Sequence, residues 1–424
     1  MTAGAVTTAR AAPGGPAHRP LDASLGAQLR RADRGRQIRA LLLVAPLLLF
    51  LFVNFALPLV LMLAKSIDGR EEARALARTG AALASWDGRS AVPDAAAKAL
   101  VADLGDLRGT PALSMVANRL NYDVNGMRSL VLKTARRLPP SGDATLAALG
   151  SIDPLWQRPE QWAAVLRATD RITSFHVLAA VDARRDPAGG ITMLPPQQGV
   201  MREIFLRTFW IASVVTLACI VLGYPVAYLI ASATPGWASV MMMAVLLPFW
   251  TSLLVRTSAW VVLLQTNGIV NKGLQGLGLT SAPVPLVFNR TGAYIALIHV
   301  LLPFMILPIY SIMKSVKPDY VRAAVSLGAS PVTAFRRVYL PLTLPGLASG
   351  TLLVFVSALG FYITPALIGG AGDQMIGFFI AYYINDTVNW GMAAALGGLL
   401  LLSTAVVFLV YTWLAGSSSP AWRS

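Results

Sequence analysis

The stretch PDYVRAAVSLGASPVTAFRRVYLPLTLPG, residues 318 to 346, lies between two long apolar runs of this sequence. Its charged residues are Asp319, Arg322, Arg336 and Arg337. Charges grouped between apolar runs indicate a solvent-exposed connection between membrane-spanning segments. Pro318 followed by Asp319 predicts a helix start, because proline is tolerated at the first position and a carboxylate suits the positive end of the helix dipole.

The same stretch predicts a helix, a turn and a second helix lying across the membrane face. Gly328 is expected to cap the end of the first helix. Ser330 and Pro331 then supply the N-cap and first residue of the second helix, which we expect Pro341 and Pro345 to end. The small residues that share one face of the first helix allow close approach by a partner surface, and they are Ala323, Ala324 and Gly328.

The composition identifies an integral membrane protein. Of its 424 residues, 55% are hydrophobic and only 13% are charged, and the mean hydropathy is +0.61. The net charge of +15 does not indicate nucleic-acid binding, because the basic residues bracket apolar runs instead of forming one stripe. The partner implied is membrane lipid. The single cysteine, Cys219, excludes an intrachain disulfide and a cysteine-based metal site, and no residue pattern predicts catalysis.

Apolar runs free of charge predict six transmembrane helices in an all-α protein. The predicted spans are residues 38–65, 208–232, 238–265, 291–313, 343–366 and 391–415. No charged residue lies between Arg207 and Arg256, and the turn signal at Thr234 to Gly236 divides that run into two spans. Residues 266–290 are expected to form a loop, and residues 375–390 resemble an interfacial helix.

Outside the spans, the sequence predicts three further regions. Residues 1–37 are a basic, largely disordered cytoplasmic tail. Residues 66–200, which hold 14 of the 20 acidic residues, are predicted to form a mainly helical periplasmic insert between the first two spans. Its helix-start pairs are Pro93-Asp94, Thr110-Pro111 and Asp153-Pro154. Residues 201–424 form the membrane core, including the exposed loop 314–342.

Charge asymmetry predicts the orientation of the chain. Six spans place both termini and the loop 314–342 on one side of the membrane. That side carries thirteen Lys and Arg residues, whereas the short loops opposite carry Lys272 and Arg290. Because basic residues in short loops stay inside, we expect both termini to be cytoplasmic.

The exposed loop is similar to a motif of bacterial ABC importer permeases. That motif runs Glu-Ala-Ala, three residues, Gly, nine residues, then Ile-x-Leu-Pro, and Arg322 replaces its Glu here. The resemblance implies that the loop couples to partner ATPases, and the implied coupling residues are Arg322, Ala323, Ala324, Gly328, Ala329, Ser330, Pro331, Val338, Leu340 and Pro341. The opposite sign at Arg322 predicts a different contact there.

Three further segments resemble the spermidine/putrescine branch of these permeases: residues 247–260, 267–279 and 363–370, with Asn389-Trp390 before the last span. The resemblance implies a type I importer fold that moves a small solute, such as spermidine or putrescine, across the bacterial inner membrane by alternating access. It also implies a second permease, an ABC ATPase dimer that binds ATP-Mg, and a periplasmic solute-binding protein. This chain has no G-x-x-x-x-G-K-[ST] loop, so we expect no enzyme activity and no bound cofactor.

Alternative functions are less well supported by the residues. The permease fits another small solute, such as an amino-acid derivative, as well as a polyamine. An ion-coupled secondary transporter usually needs intramembrane carboxylates, and no Asp or Glu lies well inside the predicted spans. A sensor needs a cytoplasmic signalling domain, which the sequence lacks.

Residues that line a pathway or gate are predicted from polar and aromatic positions within apolar helices. The candidates are Trp250, Thr251, Arg256, Tyr362, Thr364 and Asp386. Arg256 has two interpretations: a gate or subunit contact, or a side chain near a helix end that reaches water, since a central arginine costs about 2.5 to 3.5 kcal/mol. Asp373 and Asp386 either attract a cation or a basic patch, or are solvated loop acids. His299 is expected to pack against a neighbour and not to bind metal.

Overall fold

The computed structural model describes residues 42–88, 90–139, 144–186, 190–195 and 197–417. The predicted tail 1–37, the start of the first predicted span and residues 418–424 lie outside the described residues. Within the described ranges, six helices are long and apolar enough to cross a membrane, which confirms the six-span, all-α class. Numbered as spans 1 to 6, they are Leu42–Ile67, Met201–Ser232, Leu253–Gly276, Arg290–Ser315, Pro331–Gly360 and Trp390–Leu414.

The chain divides between Leu61 and Met62 into two compact units. The described part of the first unit, residues 42–61, is an apolar helix that contains a π-turn at Phe52–Ala56. The side-chain amide of Asn54 donates to the carbonyl of Phe50 at 2.9 Å, so its polar group is satisfied within the helix itself. A segment of this kind is suited to hydrocarbon, where every polar group needs an internal partner.

The second unit begins with the insert, residues 66–200. Its α-helices are Arg70–Ala75, Ala77–Leu83, Asp94–Leu107, Pro111–Asp123, Met127–Arg136, Leu146–Ile152, Pro159–Ala168 and Phe175–Ala180. Two of them begin at the predicted pairs, and the third pair starts the 3-10 turn Pro154–Gln157. A short antiparallel hairpin, Ala183–Arg185 with Ile191–Met193, was not predicted.

The insert has its own hydrophobic core. Trp156 and Trp162 are fully buried in it, with ring centroids 5.3 Å apart. Both indoles keep a hydrogen bond: Trp156 Nε1 donates to Thr134 Oγ1 at 2.8 Å, and Trp162 Nε1 donates to the Trp156 carbonyl at 2.7 Å. Buried aromatics with satisfied polar groups stabilise a fold strongly, so the insert is a structured body and not a linker.

The insert contacts the membrane helices at the starts of spans 2 and 6. Asp182, buried, caps the start of span 2: its Oδ1 accepts from the Met201 amide at 3.0 Å and its Oδ2 from the Arg202 amide at 2.7 Å. The helix Phe175–Ala180 packs on the start of span 6, where the His176 imidazole lies against Gly391 and leaves no room for a side chain there. The insert is therefore attached to both spans.

Spans 2, 4 and 5 pack closely through small residues. A Cβ added at Gly346 would lie 2.9 Å from the Pro308 carbonyl oxygen, and one at Gly350 would lie 3.0 Å from Met305 Sδ. A Cβ at Gly223 of span 2 would lie 2.8 Å from Met305 Cγ. Small residues let helix backbones approach within a membrane, where packing replaces the hydrophobic effect as the main attraction.

The predicted span 238–265 is not one helix. It is split into Pro235–Leu246, a 3-10 turn Leu247–Trp250, and Leu253–Leu264. Pro248 lacks an N–H for a continuous helix, and the Ser252 hydroxyl caps the new helix by accepting from the Val255 amide at 3.2 Å. The predicted loop 266–290 contains the short helix Ile269–Gly276. Span 3, Leu253–Gly276, therefore includes this helix together with Leu253–Leu264.

The prediction that Pro341 and Pro345 end the second loop helix is wrong. One continuous helix runs from Pro331 to Gly360, through a π-turn at Phe335–Tyr339. The Leu340 amide donates to the Phe335 carbonyl five residues back, and Pro341 falls in the first turn of the α-helical part, where its missing N–H costs little. Span 5 thus starts earlier than the predicted 343–366, and Ile363–Ile368 and Ile376–Asn385 are separate short helices.

Candidate functional site

The whole loop 314–342 is hereafter the coupling segment. Its first helix ends in a backbone turn that depends on a glycine. The helix runs from Pro318 to Ser326 and has no buried residue. Gly328 has φ +90°, its amide donates to the Val325 carbonyl at 2.9 Å, and the Ala329 amide donates to the Ala324 carbonyl at 3.1 Å. These two bonds form a complete Schellman motif, which fixes where the chain turns.

The second helix starts as predicted at Ser330 and Pro331. The Ser330 hydroxyl accepts from the Thr333 amide at 3.3 Å and lies 2.9 Å from the Thr333 hydroxyl. Of the predicted coupling residues, those that are exposed are Arg322, Ala323, Gly328, Ser330, Pro331 and Pro341. Those that are half-buried are Ala324, Ala329, Val338 and Leu340. The exposed set makes this turn accessible to another protein.

Arg322, which replaces the glutamate of the motif, projects from this surface. Its nearest carboxylate is Asp319, with 3.8 Å between Nη1 and Oδ1, and both side chains are exposed. Exposed pairs of this kind contribute about 0 to 1 kcal/mol, so they do not hold the arginine in place. Around it, Leu327 is 88% exposed and Val332 is exposed, so the coupling segment presents an apolar and basic surface.

An aromatic cluster ties the coupling segment to span 2. The Tyr228 ring lies 5.9 Å from the Phe335 ring and 5.6 Å from the Tyr339 ring, and Phe335 and Tyr339 stack at 5.8 Å. The Tyr224 hydroxyl lies 2.8 Å from Thr343 Oγ1. This contact was not predicted from the sequence, although the i, i+4 spacing of both aromatic pairs predicts a shared helix face.

Arg256 closes the break between the helices Pro235–Leu246 and Leu253–Leu264. Its guanidinium donates to the Pro248 carbonyl, to the Thr251 carbonyl at 3.0 Å and to Thr251 Oγ1 at 3.4 Å. The Pro248 carbonyl also accepts from the Thr251 amide at 3.4 Å and from the Thr251 hydroxyl at 3.0 Å, so the arginine adds a bond to it and supplies one to the Thr251 carbonyl. Neighbouring Trp250 is 90% exposed.

The other predicted pathway residues are placed differently. Thr364 is buried, and its hydroxyl lies 3.3 Å from that of Thr257, the residue after Arg256. Tyr362 is exposed. Asp386 is exposed beyond the helix Ile376–Asn385 and makes no ion pair within the described residues. The structure therefore places Trp250, Thr251 and Arg256 at the helix break, and it places Thr364 beside Thr257 of the helix Leu253–Leu264.

Of the two predictions for Asp373, the solvated loop acid is wrong. It is buried and pairs with Arg290 at the start of span 4, with 2.7 Å between Nε and Oδ1, and its Oδ2 accepts from the Gly370 amide at 3.2 Å. The next residue, Gln374, accepts on its carbonyl from Arg207 Nε of span 2 at 3.1 Å. Residues 370–374 are thus held by two arginines from different spans.

His299 packs against a neighbour, as predicted. Trp260 Nε1 donates to His299 Nδ1 at 3.1 Å, and the two rings meet edge to face. Within the ranges that the structure describes, no group of three His, Cys, Asp or Glu side chains is arranged to hold a metal ion.

A comparison with protein families assigns this architecture. Residues 200–418 match the family model for the binding-protein-dependent transport system inner membrane component. The chain belongs to this family. It is the transmembrane permease subunit of an ABC importer, a multi-pass inner-membrane protein and not an enzyme. The matched residues begin beside Met201, where span 2 starts, and leave out the insert and span 1.

Relatives of known type agree with this assignment. The permease is 35% identical over 209 residues to the spermidine/putrescine transport system permease protein PotB of Escherichia coli, covering 49% of this chain and 76% of that one. It is 36% identical over 205 residues to the inner membrane ABC transporter permease protein YdcU of the same organism, covering 46% and 65%. A solved bacterial alginate ABC transporter in complex with its alginate-bound periplasmic protein is 19% identical, covering 52% and 79%, and its TM-score of 0.43 is too low to add to the assignment.

Proposed function

We propose that this permease imports a polyamine such as spermidine or putrescine. The observation that carries the proposal is the 35% identity to PotB, which extends over 76% of that relative. Residues 200–418, which match the family model, contain the coupling segment and the helix break at 247–252, the two parts proposed below to take up energy and to face the solute.

The coupling segment is proposed to bind an ABC ATPase dimer. Its support is an exposed helix and turn whose shape is set by the Schellman motif at Gly328 and whose far side is tied to span 2 by aromatic rings. The sequence contains no phosphate-binding loop of its own, so ATP-Mg would be bound by the partner subunits. Closure of the ATPase pair would then push on Pro318–Ser326 and move spans 2 and 5 together.

The helix break at residues 247–252 is proposed to face the solute pathway or the second permease subunit. Irregular backbone within a membrane is tolerated only where protein or water surrounds it, and Trp250 is exposed at this break. Arg256 would shape the break and not bind the solute, because its guanidinium is occupied by carbonyl oxygens and repels a polycation. Tyr362, Thr364 and Asp386 remain pathway candidates on the same proposal.

Replacing Arg256 by lysine tests whether its role depends on the geometry of the guanidinium group or on the positive charge alone. Arg256→Lys keeps the positive charge but loses the planar fork that reaches two carbonyls, so we expect uptake to fall about tenfold, equivalent to 1.4 kcal/mol. The matched control is Lys272→Gln, which removes a charge at a position outside the break. Normal uptake by Arg256→Lys would reject the shaping role.

Both termini and the coupling segment are proposed to be cytoplasmic, and the insert periplasmic. The support is the charge asymmetry between the two sets of short loops. In this arrangement the insert would lie beside the periplasmic solute-binding protein, and the second permease would complete the pathway.

The proposed function is tested by reconstituting the permease with its partner ATPases, second permease and binding protein in vesicles. We expect uptake of labelled spermidine that requires ATP and is reduced by excess putrescine. The control is the same complex with catalytically inactive ATPases. Competition by amino-acid derivatives but not by putrescine would reject the polyamine assignment, and uptake that survives ATP depletion but collapses with the proton gradient would reject ATP coupling.

A further inference from the structure

A cavity of about 120 Å³ lies in the insert, apart from the proposed solute pathway. It is lined by three insert helices, the loop 170–174 and the first strand of the hairpin, and it opens to solvent. Its charged lining residues are Arg119, Arg167, Arg184, Arg185, Asp123 and Asp170, so the formal charge of the lining is +2. Since a water molecule occupies about 30 Å³, the cavity has room for roughly four waters or one compact oxyanion.

Arg119 forms the buried end of this cavity. It is 7% exposed, and its guanidinium carbon lies 3.7 Å from the centre of the Phe175 ring. Its Nη1 lies 3.1 Å from Asp123 Oδ1 in a buried ion pair whose alignment is poor for a hydrogen bond. The guanidinium has five N–H donors, and a bound group that accepts hydrogen bonds from those facing the cavity would offset the cost of burying them.

Two carboxylates and four arginines belong to the cavity lining. Asp123 is shared, because its Oδ2 also lies 3.3 Å from Arg167 Nε. Outside the lining, buried Glu72 also interacts electrostatically with Arg119. Neither Arg184 nor Arg185 makes an ion pair within the part of the chain that the structure describes. Asp170, the other acid of the lining, is exposed to solvent, so the lining carries a surplus of positive charge.

We propose that this cavity binds a compact dianion, either a dicarboxylate or a phosphate. The guanidinium group presents a rigid fork of donors that matches the two oxygens of a carboxylate or phosphate, and several such groups around one small space recognise an oxyanion. A charge of −2 on the ligand neutralises the surplus of the lining. The site lies outside the region shared with the transport family and does not depend on which solute is transported.

The cavity is also connected to the transport helices. Phe175 and Leu178 line the cavity and belong to the short helix Phe175–Ala180. His176 of the same helix packs against Gly391 at the start of span 6. A bound dianion therefore restrains the helix on which span 6 rests.

Calorimetric titration of the purified full-length chain in detergent, with succinate and with inorganic phosphate separately, tests the proposal. We expect saturable binding that weakens at least tenfold in the rim variant Arg184→Gln/Arg185→Gln, and similarly in Arg119→Lys, which keeps charge but loses the fork. Arg136→Gln, an exposed arginine of another insert helix, is the matched control and is expected to bind like the wild type.

The two probes distinguish the ligand sources. Tighter binding of succinate supports a dicarboxylate, and tighter binding of phosphate supports a phosphate. Absence of saturable binding by either probe overturns the proposal, as does unchanged affinity in the rim variant or an equal loss in Arg136→Gln. The rim variant keeps the test decisive if Arg119→Lys fails to fold, because Arg184 and Arg185 lie at the mouth and not in the core.

Discussion

Gly328 is the residue on which the geometry of the coupling segment depends most directly. Its φ of +90° lies in the left-handed region, while nothing lies within 4 Å of the position a Cβ would take. The requirement at this position is therefore conformational and not steric. Arg256 shows a second kind of residue-level role, because its guanidinium donates to the backbone carbonyls of the helix break.

Replacing Gly328 is expected to loosen the turn in proportion to the cost of positive φ. Gly328→Ala should destabilise the turn by about 1 kcal/mol and lower the ATP-driven uptake of the reconstituted complex. Gly328→Asn is the matched control, because asparagine tolerates the left-handed region, and it should transport more nearly like the wild type. Equal uptake by the wild type and the alanine variant would contradict a role for this turn in coupling.

His176 predicts a pH dependence of stability. Burial, together with nearby Arg119, lowers its pKa to about 4 from the usual 6.5. The unfolded chain therefore binds a proton on His176 near pH 6.5, whereas the folded chain binds it only near pH 4. The contribution of neutral His176 to the free energy of unfolding is therefore complete above pH 6.5 and is lost on acidification. The expected loss between neutral pH and pH 5 is roughly 2 kcal/mol.

Thermal unfolding of the purified chain at several pH values measures this effect. His176→Gln, which cannot titrate, should flatten the dependence between pH 7 and 5 relative to the wild type. The imidazole Nδ1 has no hydrogen-bond partner among the described residues, so the amide loses little in exchange. An unchanged acid slope in this variant would assign the slope to other groups.

At the scale of elements, local signals predicted helix starts better than helix ends. Pro318, Ser330 and the insert pairs were identified from capping chemistry that acts within one turn. Pro341 and Pro345 were misread as helix ends, because a π-turn accommodates Pro341 and span 4 packs against the helix around Pro345. The extent of the break after Pro248 was not predicted for the opposite reason: one of the groups that hold it is the side chain of Arg256, eight residues away.

The contact of spans 4 and 5 gives the element-scale prediction. Gly346→Ala places a methyl group 2.9 Å from the Pro308 carbonyl oxygen, so the two helices must separate. Overpacking of this kind costs about 1 to 3 kcal/mol, and we expect a lower melting temperature and slower uptake. Gly360→Ala, at the end of the same helix and with nothing within 4 Å, is the matched control. Similar melting temperatures for the two variants would argue against tight packing here.

At the scale of the whole molecule, the number of spans and the position of the motif in the loop 314–342 were predictable, because hydropathy and motif spacing are encoded locally. Long-range pairs were not. The Arg290–Asp373 ion pair joins residues 83 positions apart, and Asp182 caps a helix that starts 19 residues later. No sequence pattern near Asp373 or Asp182 indicates which residue the carboxylate contacts.

Orientation gives the prediction at this scale. Cys219 is the single cysteine and is buried, so an introduced cysteine can be followed against a low background. Ser151→Cys, exposed in the insert, should react with a membrane-impermeant maleimide in intact spheroplasts. Ser326→Cys, exposed in the coupling segment, should react only after the membrane is opened. The reverse pattern would invert the proposed topology.

The continuity of the helix Pro331–Gly360 has a mechanical consequence. With 30 residues at about 1.5 Å each, it is a rod roughly 45 Å long whose first turns belong to the coupling segment. A tilt of about 10° at that end displaces the other end by about 8 Å, more than the width of a water molecule or a polyamine chain. A hinge at Pro341 would have absorbed such a rotation, whereas the unbroken rod converts a small angular change at one membrane face into a large opening at the other.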